Sequence, residues 1–431
     1  MPSTQKYRIK DLAKANKRNF NFCGTTYINY VDISCVVENK FEGIQKLDCV
    51  EDTIPSRAKK AVEKNTIVYS AVRPNLKHYG IVKAPLENMV VSTGFITLDL
   101  TKKIDPNYFY YNITRQKYTD FLHTIAINNA STYPAINPSD LEELEIEVFD
   151  DFNVQKSIGD LLYTIDNKIE LNNKINSELE AMAQTLYNYW FVQFDFPDGS
   201  GRPYKSAGGE MIFNPTLGRE IPAGWEVVKI ADYVNEYKGG DWGKKEITGN
   251  YTEKVRCIRG TDFPSLVGRE HVNAPARYIL PNNTNKKLSD GDLIVEISGG
   301  SPIQSTGRIC YINQGTLKRF NTDIITSNFC KAISLKNINA SYFIYLYWLR
   351  LYEAGIFFNF EGKTTGIKNL LFDTFVLTHF MPGVPNELLK SFNEQTAPLF
   401  SAVQQNLLEA ERLATIRDFL LPMLMNGQIT V

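Results

Sequence analysis

IGDLLYTIDNKIELNNKINSELEAMAQTLYNYW, residues 158–190, is the stretch on which the fold turns. Ile158, Ile165, Asn172, Leu179 and Leu186 recur every seven residues. A second row, Leu162, Ile169, Asn176, Ala183 and Trp190, follows four residues behind. Alternating steps of four and three keep both rows on one helix face, which is what a left-handed coiled coil requires. The chain writes this pattern twice. Phe392, Leu399, Asn406, Leu413 and Leu420 repeat the first row at an offset of 234, so that Asn172 falls on Asn406. A buried amide needs a partner, so an asparagine in the same seam position of both helices penalises slipped registers. Two copies of one unit predict a pseudo-twofold, with the two helices packed antiparallel.

Outward from the helices the repeat continues. Asp105-Pro106-Asn107-Tyr108-Phe109-Tyr110-Tyr111 matches Asn339-Ala340-Ser341-Tyr342-Phe343-Ile344-Tyr345 at the same offset. The polar loop 128–136 faces 362–370, and short strand-like apolar runs follow each, at 144–149 and 375–380. Residues 292–297, 308–312 and 324–335 read as strands, with 66–72 and 89–98 as first-copy counterparts, and 342–350 as a buried helix. The expected fold class is α+β: two mixed α/β bodies joined by two long helices in an antiparallel coiled coil, with a pseudo-twofold internal repeat. The expected divisions are 1–149, first body; 150–196, central helical region; 197–384, linker and second body; 385–431, C-terminal helical region. Some 35 residues of helix span about 50 Å, so the helices would hold the two bodies apart like a ruler on duplex DNA.

The net charge of −1 conceals a partition: +2 over 1–149, −5 over 150–196, +4 over 197–384 and −2 over 385–431. Two mildly basic bodies alternate with acidic segments, which permits DNA binding by the bodies only. No apolar stretch reaches the roughly eighteen residues of a membrane span, and the start of the chain is polar, so no membrane and a cytoplasmic location are expected. The six cysteines, Cys23, Cys35, Cys49, Cys257, Cys310 and Cys330, form no closely spaced pair, which argues for reduced thiols and against a zinc knuckle.

Three further stretches carry a family resemblance. Ala183-Gln184-Thr185-Leu186-Tyr187-Asn188-Tyr189-Trp190-Phe191-Val192-Gln193-Phe194 resembles the end of the central conserved region in specificity subunits of type I restriction–modification enzymes. Lys205-Ser206-Ala207-Gly208-Gly209-Glu210-Met211 and Leu217-Gly218-Arg219-Glu220-Ile221-Pro222-Ala223-Gly224-Trp225-Glu226-Val227-Val228 are similar to that family's linker and second-domain entry. Arg417-Asp418-Phe419-Leu420-Leu421-Pro422-Met423-Leu424-Met425-Asn426-Gly427-Gln428-Ile429 is similar to its usual ending. The resemblance implies a non-catalytic subunit with two target-recognition domains, each reading half of a bipartite site on double-stranded DNA. It also implies that the helical regions assemble two methyltransferase (modification) subunits, to which restriction/translocase subunits add. S-adenosylmethionine, ATP and magnesium would then be used on other subunits, with no cofactor on this chain.

The competing class is a stand-alone DNA methyltransferase or nuclease with fused recognition domains; a third reading is a coiled-coil scaffold without DNA binding. A lone methylase needs an Asn/Asp-Pro-Pro-aromatic motif, and Asn137-Pro138-Ser139 and Asn214-Pro215-Thr216 lack its second half. Gly362-Lys363-Thr364 resembles the end of a phosphate loop, but Phe357 stands where that loop needs glycine. Asp292 and Glu296 suggest a nuclease pair, but Ser298 replaces the completing lysine, and Thr66 and Ser70 hold the first-copy places. His78, His123, His271 and His379 are dispersed, without partners at a telling spacing. No catalytic or metal-binding residue is expected.

Reading base edges needs Arg, Lys, Asn, Gln, Ser or Thr on loops that enter a groove, and phosphates need basic or small polar groups. The first body offers Arg57, Lys59, Lys60, Arg73, Lys77, His78, Tyr79, Asn128, Asn129, Ser131, Thr132 and Tyr133. The second offers Lys238, Trp242, Lys244, Lys245, Ser298, Ser301, Lys363, Thr364 and Thr365. Trp190, Phe191 and Phe194 give more aromatic surface than a two-stranded seam covers. Part of it is expected to meet a methyltransferase subunit, the alternative being the chain's own second body.

Overall fold

The computed structural model describes residues 3–129, 133–268, 272–299, 301, 303–364 and 366–430. Ser131, Thr132, His271 and Thr365, all singled out above, lie outside the described residues. The chain divides into two compact units: Met1–Asn167 with Leu413–Val431, and Lys168–Arg412. The dividing lines cut through the two long helices, Phe152–Tyr187 and Asn386–Met425, rather than at their ends.

Each body is built on the same frame. In the first, an antiparallel sheet has the order Ala13–Ala15, Phe95–Leu100, Ile67–Ser70, Tyr79–Ile81. The second repeats it as Val234–Gly239, Cys330–Leu335, Leu293–Glu296, Ile309–Tyr311, again all antiparallel. A further sheet pairs Tyr27–Val31 parallel to Met89–Ser92, as Glu253–Ile258 pairs parallel to Ile324–Thr326. Gln45–Asp48 and Ala276–Ile279 flank those pairs antiparallel. Ala58–Ala61 adds a fourth strand in the first body. First and last strands close each frame, Thr4–Arg8 with Glu145–Phe149 and Glu226–Lys229 with Phe380–Gly383.

Two sequence expectations change in detail. The runs 89–98 and 324–335 are each two strands, because the chain passes from one sheet to the other at Thr93-Gly94 and again at Ser327–Phe329. The run 375–380 is not a strand. Phe372, Phe375 and Val376 are buried at helical spacing in Phe372–Thr378, and the strand begins only at Phe380.

The expected buried helix is Ser341–Glu353, whose Trp348 is fully buried against Phe357 and Phe375. Burying each such side chain stabilises by roughly 1.5–3 kcal/mol. Its first-body counterpart starts at Pro106, where the Asp105 carboxylate caps the helix by accepting from Tyr108 N at 2.9 Å.

The long helices run antiparallel within each unit. In the first unit Ile158 and Leu162 share a core with Leu424 and Met425, and Arg417 donates to Asp166 at 2.7 Å. In the second, Asn172 Nδ2 donates to Asn406 O at 3.4 Å and Glu409 Oε2 at 2.8 Å, while Asn406 Nδ2 donates to Asn176 Oδ1 at 2.8 Å. Lys168 pairs with the same Glu409 at 3.3 Å. Ile158, Ile165 and Asn172 are buried, whereas Leu179 and Leu186 are half-buried. On the second helix Phe392 is buried, but Leu399, Asn406, Leu413 and Leu420 are half-buried. In the row four residues on, Thr396, Val403, Ala410 and Leu424 are buried and Arg417 is half-buried, so that row is the deeper one. No helix among the described residues is long and apolar enough to cross a membrane.

Candidate DNA-reading interface

In both bodies one strand leaves its sheet in the same way. Ile67–Ser70 exits at Ala71, whose N–H donates to Gly94 O and whose carbonyl accepts from Ile136 N, each at 2.8 Å. Leu293–Glu296 exits at Ile297, whose N–H donates to Phe329 O at 2.9 Å and whose carbonyl accepts from Leu370 N at 2.8 Å. Val72 then bridges Ala135, and Ser298 pairs with Asn369. Each exit is thus held between the sheet-crossing turn and the returning end of the polar loop.

This clamp gathers the first-body candidates. Arg73 donates its N–H to Pro134 O at 2.9 Å, and its guanidinium lies 5.7 Å from the centroid of Tyr133, a ring 64% exposed. Arg73 and Lys77 flank the short turn Pro74–Leu76 with φ of 48° and 56°. That left-handed backbone costs a side-chain-bearing residue energy, and such costs tend to cluster at functional sites. Asn128 and Asn129 end the helix Gln116–Asn128 in solvent, with the Asn129 amide donating to Asp140 at 3.3 Å. Arg57, exposed beside exposed Lys59, accepts from Thr93 N at 2.8 Å through its carbonyl, next to Gly94 of the clamp.

Other first-body candidates are wholly or partly engaged by the fold itself. Lys60 is the clearest correction. Its ammonium donates to Asn16 Oδ1 at 2.7 Å and to Phe95 O, and burial pushes its pKa down. Tyr79 is 5% exposed and stacks on Tyr69 at 5.4 Å, so it faces the core and not a groove. Lys77 pairs with Glu38 at 2.8 Å, and His78 Nδ1 lies 2.7 Å from Val36 O, leaving both half-buried.

In the second body Asp241 N donates to Thr326 O at 2.8 Å, which sets Trp242 beside the sheet-crossing turn. The approach needs glycine at 240, since a Cβ there would meet Ser327 O at 1.9 Å. Trp242 is 39% exposed, with the Arg277 guanidinium 4.0 Å from its ring. Lys244 and Lys245 are exposed, and Lys244 Nζ is 5.6 Å from the Tyr251 ring. Ser298 Oγ donates to Asn369 Oδ1 at 2.6 Å, and Ser301 Oγ accepts from Gln304 N at 3.2 Å. Lys363 and Thr364 belong to the strand Glu361–Thr364, paired with Ile367–Leu370. Sequence reading misses Arg277; the antiparallel bridge between Lys244 and Tyr278 brings its strand, Ala276–Ile279, to Trp242.

Lys238 is a second correction. Its side chain is 8% exposed and its ammonium donates to Asp292 Oδ2 at 2.8 Å and Lys287 O at 3.1 Å, so it is a buried structural charge. Asp292 also accepts from Ser334 Oγ at 2.5 Å, and Glu296 accepts two bonds from Arg308, at 2.8 and 2.7 Å. The two carboxylates weighed as a nuclease pair are therefore each occupied by a cation.

Trp190, Phe191 and Phe194 are 2%, 5% and 3% exposed. Phe191 packs on Phe343 at 4.7 Å and on Phe392 at 4.9 Å, and Phe194 packs edge-on against Trp225. The expected partner surface is thus corrected: these rings are consumed by the chain's own second body and its second long helix.

Comparisons with known proteins agree with this frame. A family model described as the type I restriction modification DNA specificity domain matches residues 2–181. The type I restriction enzyme HindI specificity subunit of Haemophilus influenzae is 25% identical over 463 residues, covering 100% of both chains. The type I restriction enzyme MjaIX specificity subunit of Methanocaldococcus jannaschii is 26% identical over 376 residues, covering 85% of this chain and 78% of its own. The crystal structure of a type I restriction–modification S subunit from M. genitalium superposes with a TM-score of 0.58 at 15% identity, covering 98% of this chain and 96% of that one. The fold is shared.

Proposed function

The chain belongs to the specificity subunits of type I restriction–modification systems, and from that premise we propose that its two bodies each read one half of a bipartite DNA target. As such a subunit it recognises the DNA target and is non-catalytic within its complex. The first reading body is taken as 1–149 and the second, with its linker, as 197–384. The helical regions 150–196 and 385–431 carry two methyltransferase subunits, to which restriction/translocase subunits add. S-adenosylmethionine, ATP and magnesium act on those other subunits, in the cytoplasm.

The observation that carries the reading is the clamped strand exit, present in both bodies and presenting a polar loop each time. Arg73, Asn128, Asn129 and Tyr133 are the base-reading candidates of the first body, with Lys77 and His78 at their edge and Ser131 and Thr132 on the same loop. Ser298, Ser301, Lys363, Thr364 and Thr365 are those of the second. Arg57, Lys59, Lys244 and Lys245 suit phosphates, and Trp242 with Arg277 suits stacking or a groove wall.

The test is to exchange one body at a time with that of a relative and sequence the methylated motif in host DNA. One half of a split motif should change while the gap and other half persist. A change in both halves, or in neither, would sink the two-head reading.

A further inference from the structure

The stretch Leu217–Trp225, matched above to a family linker, plays no part in the reading surfaces. It walls a cavity of about 170 Å³ whose other sides include Tyr187, Phe191, Phe343 and Tyr347. Two guanidiniums line this aromatic space, Arg219 from the strand Arg219–Pro222 and Arg350 from the helix Ser341–Glu353. Arg219 is half-buried, lies 4.6 Å from the Phe194 ring and spends one N–H on Phe191 O at 3.4 Å. Arg350 is exposed, and its charge opposes that of Arg219. Among the described residues neither is ion-paired with a carboxylate. Lys229 adds a third cation, 5.4 Å from the ring of Phe380, which lines the same space. Holding like charges together in a part-desolvated site is unfavourable, and an entering anion reverses the sign.

The rim indicates what kind of anion. Phe380 is 42% exposed, and the hairpin that carries Arg219 shows Ile212 and Phe213 to solvent at 51% and 62%. Aromatic residues and arginine beside exposed apolar surface are the composition of a protein-interface hot spot. A DNA backbone offers only small sugar faces between its phosphates to such a rim, whereas an acidic side chain with apolar neighbours on a protein surface satisfies both parts.

We propose that this cavity anchors a carboxylate side chain of a partner protein, with Arg219 and Arg350 forming a fork for its two oxygens. The proposal rests on the assembly reading above, and the partner it names is the methyltransferase subunit.

The test titrates the full-length chain against its purified methyltransferase subunit, then assays the assembled complex on its DNA target. Arg350→Gln should weaken association about tenfold, and Arg350→Glu should weaken it further. Arg350 is exposed, so the melting temperature of the chain alone should not move. Arg219→Lys, which keeps charge but loses the fork, should fall between the parent and Arg350→Gln. Undiminished association of Arg350→Glu overturns the anchor and leaves the assembly reading standing. Complexes that assemble normally but bind DNA more weakly would make the occupant a phosphate, which also overturns it. A parent chain that fails to take up the methyltransferase subunit ends both readings together.

Discussion

Asn172 and Asn406 hold the same place in the two copies of the repeat, and they meet: the side-chain amide of the first donates to the backbone carbonyl of the second at 3.4 Å. The Asn406 side chain turns instead to Asn176, so three amides form one polar layer. Asn172 Oδ1, Asn173 Oδ1 and Asn176 Nδ2 remain buried without a partner. A layer that leaves polar atoms unpaired weakens the seam, and its return is a single register.

Asn406→Leu should therefore cost about 1–3 kcal/mol, because it strips the donor from buried Asn176 Oδ1. Changing Asn176 and Asn406 together to Leu should recover much of that loss, since both ends of the bond then go. Urea unfolding of both variants measures the difference. A single variant as stable as the parent would show that the seam does not depend on this amide.

Lys238→Met should destabilise by about 3 kcal/mol, since it leaves Asp292 buried without its cation. The salt dependence of DNA binding should stay as it was. Lys244→Gln and Lys245→Gln should do the reverse, each lowering the salt slope by about one while barely moving stability. Binding measured across a salt series separates the two classes.

Arg73→Gln and Tyr133→Ala should each cost about 1–3 kcal/mol on the cognate site and relax reading in one half only. Competition among targets mutated base by base in either half locates the loss. Relaxation spread over both halves would count against Arg73 as a base reader.

Burial pushes the thiols of Cys257 and Cys330 up to about 12 and raises that of Cys310 further still. At pH 8 these groups are protonated and shielded, whereas Cys23 is exposed. Titration with a thiol reagent should label Cys23 at once and the three buried thiols only on unfolding. Prompt labelling of all of them would mean that the second body opens readily.

The helices and the duplication were legible because their signals are periodic: heptads, a fixed offset and a shared asparagine need no knowledge of what touches what. The common strand order was half-legible, since the strand runs could be matched but not their sheets. Lys60 and Lys238 escaped because their partners, Asn16 and Asp292, lie 44 and 54 residues away. A lysine beside turn residues reads as solvated until such a partner is known. Trp190, Phe191 and Phe194 escaped for a related reason: one helix shows which side chains are apolar, not which element covers them. The Arg219–Arg350 cavity had no local signal, because a turn motif and a helix more than a hundred residues later build it.

Leu424 and Met425 sit at 1% and 2% exposure in the core of the first body, with Asn426 hydrogen-bonded to Arg115 at 3.1 Å. On the ribosome, then, the body that emerges first is the one that closes last. Its core waits, unsealed, for residues made after the whole of the second body. A nascent chain halted anywhere before residue 424 would leave that N-terminal core open to chaperones and proteases.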